Sequence, residues 1–305
     1  MTTSEPRPGR LPFGARLVDQ IREQGPLCVG LDPHPHLLAD WGLPDSADGL
    51  RSFSLTVLDA VADRCAAIKP QSAFYERHGS AGIAVLEEVL AGCRERGLLS
   101  VLDAKRGDIG STMGGYAQAY LQDGSPLAAD SVTLSPYLGY GSLRPALDLA
   151  AETGRGVFVL GLTSNPEGAE VQLAGEPTVA ARIVEQVGLD NANANGNGNG
   201  NGNADLDADP DDSACGHVGL VVGATLPRTP AELGLDLVAS GAPILTPGVG
   251  AQGADEHDVA RTFAGLTERV LVPISRGVLT AGPSPTALAG AASGWSDRLR
   301  GALQG

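Results

Sequence analysis

The chain has 305 residues, 42% of them hydrophobic and 19% charged, which is enough apolar sequence for one large core and too much for global disorder. Its 36 acidic and 21 basic residues leave a formal charge of −15, a field that repels nucleic acid and obliges any anionic ligand to find a local cationic pocket. No apolar run approaches the roughly 20 residues that span a bilayer, and the opening MTTSEPRPGRLPFGARL lacks an apolar signal core, so a cytoplasmic protein with no nucleic-acid or membrane partner is expected.

A helix is predicted over 13–24 (FGARLVDQIREQ), ahead of eight short apolar runs rich in Val, Leu and Ile. The runs fall at 27–32, 66–70, 98–103, 131–136, 156–162, 218–225, 242–248 and 269–275. Continuous apolar runs of this length fit parallel strands buried on both faces. Helical spacing recurs between them at 52–64, 81–97, 144–154, 178–188 and 254–266. The alternation predicts an α/β protein, a (β/α)8 TIM barrel forming a single domain over 1–305, with a doubly wound open sheet as the alternative.

Two features stand outside this rhythm. Residues 190–213, DNANANGNGNGNGNADLDADPDDS, carry six acids and no base. Asn-Gly alternation cannot bury enough apolar area to offset chain entropy, so a disordered insert before the sixth strand is expected, or else an interdomain linker. Cys28, Cys65, Cys93 and Cys215 are far apart and form no C-x-x-C pair, which points to buried reduced thiols rather than a zinc or redox site.

Chemistry in such a barrel comes from the carboxyl ends of the strands. Those ends carry Asp32, Lys69, then Asp103, Lys105 and Asp108, then Thr225, the turn Gly248–Gly253 and Arg276. Asp103 and Lys105 are two residues apart, so on extended backbone they share a face. With Lys69 and Asp108 they make two cations and two anions, a balance that a partly dry site can hold. Flanking carboxylates favour the charged ammonium of Lys105, a potential proton donor. A surface ion-pair network without catalytic role is the alternative for D-x-K taken alone.

The turn TPGVGAQG (246–253) lets backbone N–H groups surround an anion, and Gly250, Gln252 and Arg276 together outline a phosphate pocket. A tight strand-to-helix turn is its plainer reading. Asp32 in GLDPH is either a hydroxyl acceptor or a turn residue before Pro33. His34 and His36 form an H-x-H with no further ligands clustered in sequence, which favours loop histidines over a metal site. Ser135 and Tyr137 stand at the fourth strand's end with no assigned role.

The motifs GLDPH (30–34), KPQSAFYERHG (69–79), LDAKRGDIGST (102–112), VGAT (222–225), TPGVGAQGAD (246–255) and SRG (275–277) resemble those of the orotidine 5'-phosphate decarboxylases, especially their longer bacterial (type 2) branch. D-x-K-x-x-D-I-x-x-T is the specific element. Thr225 stands where other members carry Ser, and the 190–213 segment is outside the family pattern. The resemblance implies cofactor-free and metal-free decarboxylation of orotidine 5'-monophosphate (OMP) to UMP and CO2 in pyrimidine synthesis. It implies that Lys105 protonates C6, that Asp103 sits beside the departing carboxylate, and that Lys69 bonds ribose and the carboxylates. Asp32 would bind ribose, and Thr225 would read the pyrimidine edge. Arg276, Gln252 and backbone near Gly250 would hold the phosphate. It also implies a homodimer with shared sites, in which Asp108, Ile109 and Thr112 serve the neighbouring subunit.

Three alternatives follow from the same residues. A Mg²⁺-dependent sugar-phosphate decarboxylase or aldolase of similar barrel would reuse D-x-K, but would add an acidic ligand where the second strand ends in Lys69. A non-catalytic barrel would bind nucleotide without turnover. In the third, the acidic insert serves assembly, as a scaffold.

Overall fold

The structure is a computed structural model that describes residues 10–195, 215–250 and 253–304. Helix α1 (Phe13–Gln24) precedes β1 (Leu27–Leu31), α2 (Pro35–Asp40), α3 (Ala47–Val61) and β2 (Ala67–Pro70). Then come α4 (Ser72–Glu76), α5 (Gly79–Glu95), β3 (Leu99–Arg106), α6 (Gly110–Leu121) and β4 (Ser131–Leu134). The middle of the chain supplies α7 (Arg144–Thr153), β5 (Gly156–Leu162), α8 (Ala169–Gln172), α9 (Val179–Asn195) and β6 (Val218–Val222). The last part holds β7 (Ile244–Leu245), α10 (Glu256–Thr262), β8 (Val270–Ile274), α11 (Arg276–Leu279) and α12 (Pro285–Gln304).

The strands pair in parallel and in chain order, and β1 closes on β8 through Leu27↔Val272 and Val29↔Ile274. Closure excludes the open doubly wound sheet. Side chains alternate in the usual way, so apolar residues fill both faces. Inward ones such as Cys28, Val101, Phe158, Leu245 and Leu271 stack inside the barrel with Phe13, Leu17 and Ile21 of α1. Phe13 meets Phe158 edge-on with centroids 5.9 Å apart. The amphipathic helix α1 therefore plugs the amino-terminal end, and the carboxyl end remains for chemistry. Outward residues such as Val29, Ile68, Leu102 and Val159 pack under the helices.

Local signals set the helix ends. Ser46 caps α3 by accepting the Gly49 N–H at 3.3 Å, and α10 begins with a reciprocal Asp255–Asp258 capping box. Gly154 ends α7 in the left-handed region. All four cysteines are free and buried, and burial pushes the Cys65 and Cys215 thiols up to about 12, where they are unreactive. Among the described residues no helix is long and apolar enough to cross a membrane.

The segment 190–213 requires a correction. Helix α9 runs on to Asn195, so its first six residues are helical rather than disordered. Asn191 is 1% exposed, and its side-chain amide donates to the carbonyls of Val218 (2.9 Å) and Ser240 (3.0 Å) and accepts the Val218 N–H (3.1 Å). Asp190 accepts from the Tyr140 hydroxyl at 2.6 Å and from Arg144 at 2.8 Å. Polar residues satisfying backbone at the foot of β6 are invisible to an apolar-periodicity reading. The rest of the predicted insert, 196–213, lies outside the described residues.

Candidate active site

Asp103 is the hub. It sits on β3 with its side chain 9% exposed and receives four donors. Oδ1 accepts from the Lys105 ammonium at 2.6 Å and the Thr133 hydroxyl at 2.9 Å. Oδ2 accepts from Lys69 at 3.1 Å and the Gln71 amide at 2.9 Å. Burial alone would raise this carboxyl, but the charges of Lys69 and Lys105 and their hydrogen bonds hold it far below the usual carboxylate range. Lys69 is the mirror case: burial would lower its ammonium, yet Asp32 and Asp103 together raise it above the ordinary lysine value.

Asp103 and Lys105 meet, but not on extended backbone as the spacing predicted. Lys105 has φ 47°, the one non-glycine residue in the left-handed region among those described. The β3–β4 register shifts between Leu102 and Arg106 at this place. Thr133 on β4 explains the turn, since its hydroxyl oxygen accepts the N–H groups of both Ala104 (3.0 Å) and Lys105 (2.9 Å). A left-handed lysine costs roughly 1–2 kcal/mol, which these bonds offset. The result turns the Lys105 side chain, 47% exposed, out of the strand and back over Asp103.

The fourth charge of the cluster is Asp32 rather than Asp108. Asp32 Oδ1 lies 3.8 Å from the Lys69 ammonium, and Oδ2 accepts from the Ser275 hydroxyl. Oδ1 is buried and has no hydrogen-bond donor among the described residues. Asp108 follows the turn at Gly107, is half-buried, makes no ion pair among the described residues, and takes the Ile109 N–H at 2.8 Å. Thr112 is exposed in the first turn of α6, and Thr225 is exposed just past β6.

A cavity of about 920 Å³ opens beside the cluster, bordered by Lys105, Ser135, Tyr137, Leu160, Asn165 and Gln172. Lys105 is thus the charged group shared between the buried network and the open space. Apart from this cavity, at the carboxyl ends of β7 and β8, Arg276 begins α11 and is exposed, and the turn after β7 carries Gly248, Gly250 and Gly253 at φ 115°, 74° and 95°. The Gly250 N–H donates to the Ala254 carbonyl at 2.8 Å, so Gly250 supplies the bend and not its own amide. Gln252 lies outside the described residues. His34 and His36 stack on each other with centroids 5.2 Å apart, and Phe74 meets His34 edge-on; His34 stands at the N-cap of α2 and His36 within it, so His36 is helical and not in a loop as expected. Among the described residues no three metal-ligating side chains cluster.

Sequence reasoning missed Thr133, Gln71 and Ser275. Gln71 was within reach of it, being two residues beyond Lys69 in the same motif; Thr133 sits mid-strand with no local signal.

A closed (β/α)8 barrel with a Lys–Asp–Lys–Asp cluster and an arginine at its carboxyl-end mouth is built as an enzyme for a small anionic substrate. The model of the orotidine 5'-phosphate decarboxylase / HUMPS family matches residues 25–291, and the chain belongs to this family. Two similar proteins are named orotidine 5'-phosphate decarboxylase. That of Streptomyces coelicolor is 49% identical over 296 residues, covering 96% of this chain and 98% of its own. That of Salinispora arenicola is 50% identical over 296 residues, covering 96% and 99%. A crystal structure of a Streptomyces avermitilis protein, described as a candidate orotidine 5'-phosphate decarboxylase, superposes with a TM-score of 0.87 at 46% identity and full coverage of both chains.

Proposed function

We propose that the chain decarboxylates OMP to UMP and CO2 in pyrimidine synthesis, with Lys105 as the proton donor. The C6–carboxylate bond breaks, CO2 leaves without the electron pair, and the pair stays on C6. The Lys105 ammonium, 2.6 Å from Asp103, stabilises that carbanion and then gives it a proton. Water returns a proton to the amine. Asp103, fixed by four donors, cannot swing away from the departing carboxylate. The buried Oδ1 of Asp32, which accepts no hydrogen bond from the described residues, matches a ribose hydroxyl donor. Arg276 supplies a fixed positive charge for the phosphate, whose binding energy orients the ring far from the bond that breaks. Thr225 is assigned to the pyrimidine edge.

The single observation that carries this reading is the half-exposed Lys105 amine locked onto a buried Asp103 carboxylate that a second ammonium, Lys69, also holds, at the barrel mouth. The test is absorbance loss when the protein meets OMP in EDTA. Turnover under chelation supports the reading; turnover only with added Mg²⁺ would favour the sugar-phosphate chemistry, and tight UMP binding without turnover would favour a non-catalytic barrel.

The functional unit proposed is a cytoplasmic homodimer. Ile109, Tyr137 and Leu138 are 62%, 77% and 53% exposed around the mouth, an apolar rim suited to a second copy. Asp108, which no side chain among the described residues pairs, would then complete the neighbour's site with Thr112. Mixing inactive Lys105→Ala and Asp108→Ala chains tests this: regained activity supports shared sites, and none refutes them.

A further inference from the structure

The substrate's phosphate must be gripped by two chain segments that are not hydrogen-bonded strands: the turn after β7 and the start of α11 after β8. Both are short, and Arg276 stands on a four-residue helix with little rigidity of its own. What holds them in place is found in α12. The Trp295 indole N–H donates to the Gly277 carbonyl at 3.1 Å. A Cβ at Gly277 would lie 2.6 Å from the Trp295 Nε1, and one at Gly250 would lie 3.5 Å from the far edge of the same ring. One indole therefore fills the space beneath both turns. Arg298, a turn later on α12, lies over the Trp295 ring at 4.1 Å and reaches Glu256 Oε1 at 3.5 Å. Glu256 opens α10, directly after the glycine turn.

The other end of α11 is held in the same manner. The Trp41 indole N–H donates to the Leu279 carbonyl at 3.1 Å, and its ring occupies the space that a side chain at Gly282 would need. The chain has two tryptophans, and each binds a carbonyl of the segment that carries Arg276. Trp41 is buried under the helices, whereas Trp295 is partly exposed and touches both phosphate-side turns.

We infer that Trp295, braced by Arg298, is a positioning residue for phosphate recognition: it couples the glycine turn after β7 to Arg276 so that the two grip the substrate's phosphate as one unit. This rests on the phosphate site proposed above. It also explains why position 277 is glycine, since the indole leaves no room for a Cβ there, whereas Gly250 is set by its positive φ and meets the ring at ordinary contact distance.

The test compares UMP with uridine, which differ only in the phosphate, by calorimetry on the full-length wild type, Trp295→Phe and Trp295→Leu, together with kcat and KM for OMP. Trp295→Leu should weaken UMP binding by about tenfold, the loss of one hydrogen bond and its packing, while uridine binding stays unchanged. KM for OMP should rise by a similar factor with a smaller change in kcat. Trp295→Phe, which keeps a ring but loses the N–H, should fall between the two and decides the matter if the leucine variant does not fold. A role in folding alone would lower stability and leave the UMP-to-uridine affinity ratio at the wild-type value in both variants, and that result overturns the inference. Equal affinity of the wild type for UMP and uridine would instead remove the phosphate site itself, and the inference with it.

Discussion

The two sides of the barrel mouth are built on different principles. On the β1–β4 side, recognition is made of interlocked side chains: Lys69, Asp103 and Thr133, buried on strands, and Gln71, half-buried just past β2, hold one another, with every Asp103 lone pair engaged. On the β7–β8 side, it is made of glycine turns and an exposed arginine supported from outside by α12. The first side is organised before substrate arrives, as stabilising a developing charge requires. The second is a short-looped surface, where binding energy can order the chain as the phosphate docks. Changes on the first side should therefore act on the chemical step, and changes on the second on affinity.

The largest expected effect tests the first side. Lys105→Ala should lower kcat by about 10⁴-fold, the combined loss of a proton donor and a facing charge, with little change in melting temperature because the side chain is half exposed. Next, Arg276→Ala should weaken UMP by about 100-fold and leave uridine unchanged, as a charge-assisted contact implies. If both ligands weakened equally, the contrast between the two sides would fail. Thr133→Val should lower kcat by about tenfold and cost about 1–3 kcal/mol of stability, because Ala104 and Lys105 lose the acceptor for their N–H groups.

Stability against pH sharpens the same contrast. Asp103 is depressed when folded, so its contribution is present above the unfolded value of about 4 and is lost as pH falls toward the folded value. Lys69 is raised, so its contribution is present below about 10.4 and is lost as pH rises through its folded value. Melting temperature should be insensitive to this pair from about pH 5 to pH 9. Asp103→Asn should flatten the acid limb; an unchanged limb would mean that the pairing adds nothing to the fold. The smallest effect is expected from deleting 196–213, which should leave kcat within about twofold, whereas deletion from 190 removes the Asn191 anchors and should cost at least about 1–3 kcal/mol.

Much of this was legible in the residues. The eight apolar runs matched the eight strands because buried parallel strands need uninterrupted Val, Leu and Ile, and Asp32, Lys69, Asp103 and Arg276 stood at strand ends as expected. Helices α6 and α12 escaped notice: GSTMGGYAQAYL has three glycines in twelve residues, and α12 intersperses small residues, so neither shows a strong apolar stripe. The left-handed turn at Lys105 was equally hidden, since it depends on a threonine 28 residues away on the next strand. Asp108 was grouped with the cluster by nearness in sequence, and the turn at Gly107 carries it elsewhere. The phosphate side was read from its glycines, but the tryptophan beneath them lies on an element that periodicity did not reveal.

The proton step can be examined in reverse. If the Lys105 amine protonates C6, then in D2O the wild type should exchange the C6 hydrogen of bound UMP for deuterium, and Lys105→Ala should bind UMP yet show no exchange by NMR. Exchange at the wild-type rate in that variant would contradict the assignment of the proton to Lys105.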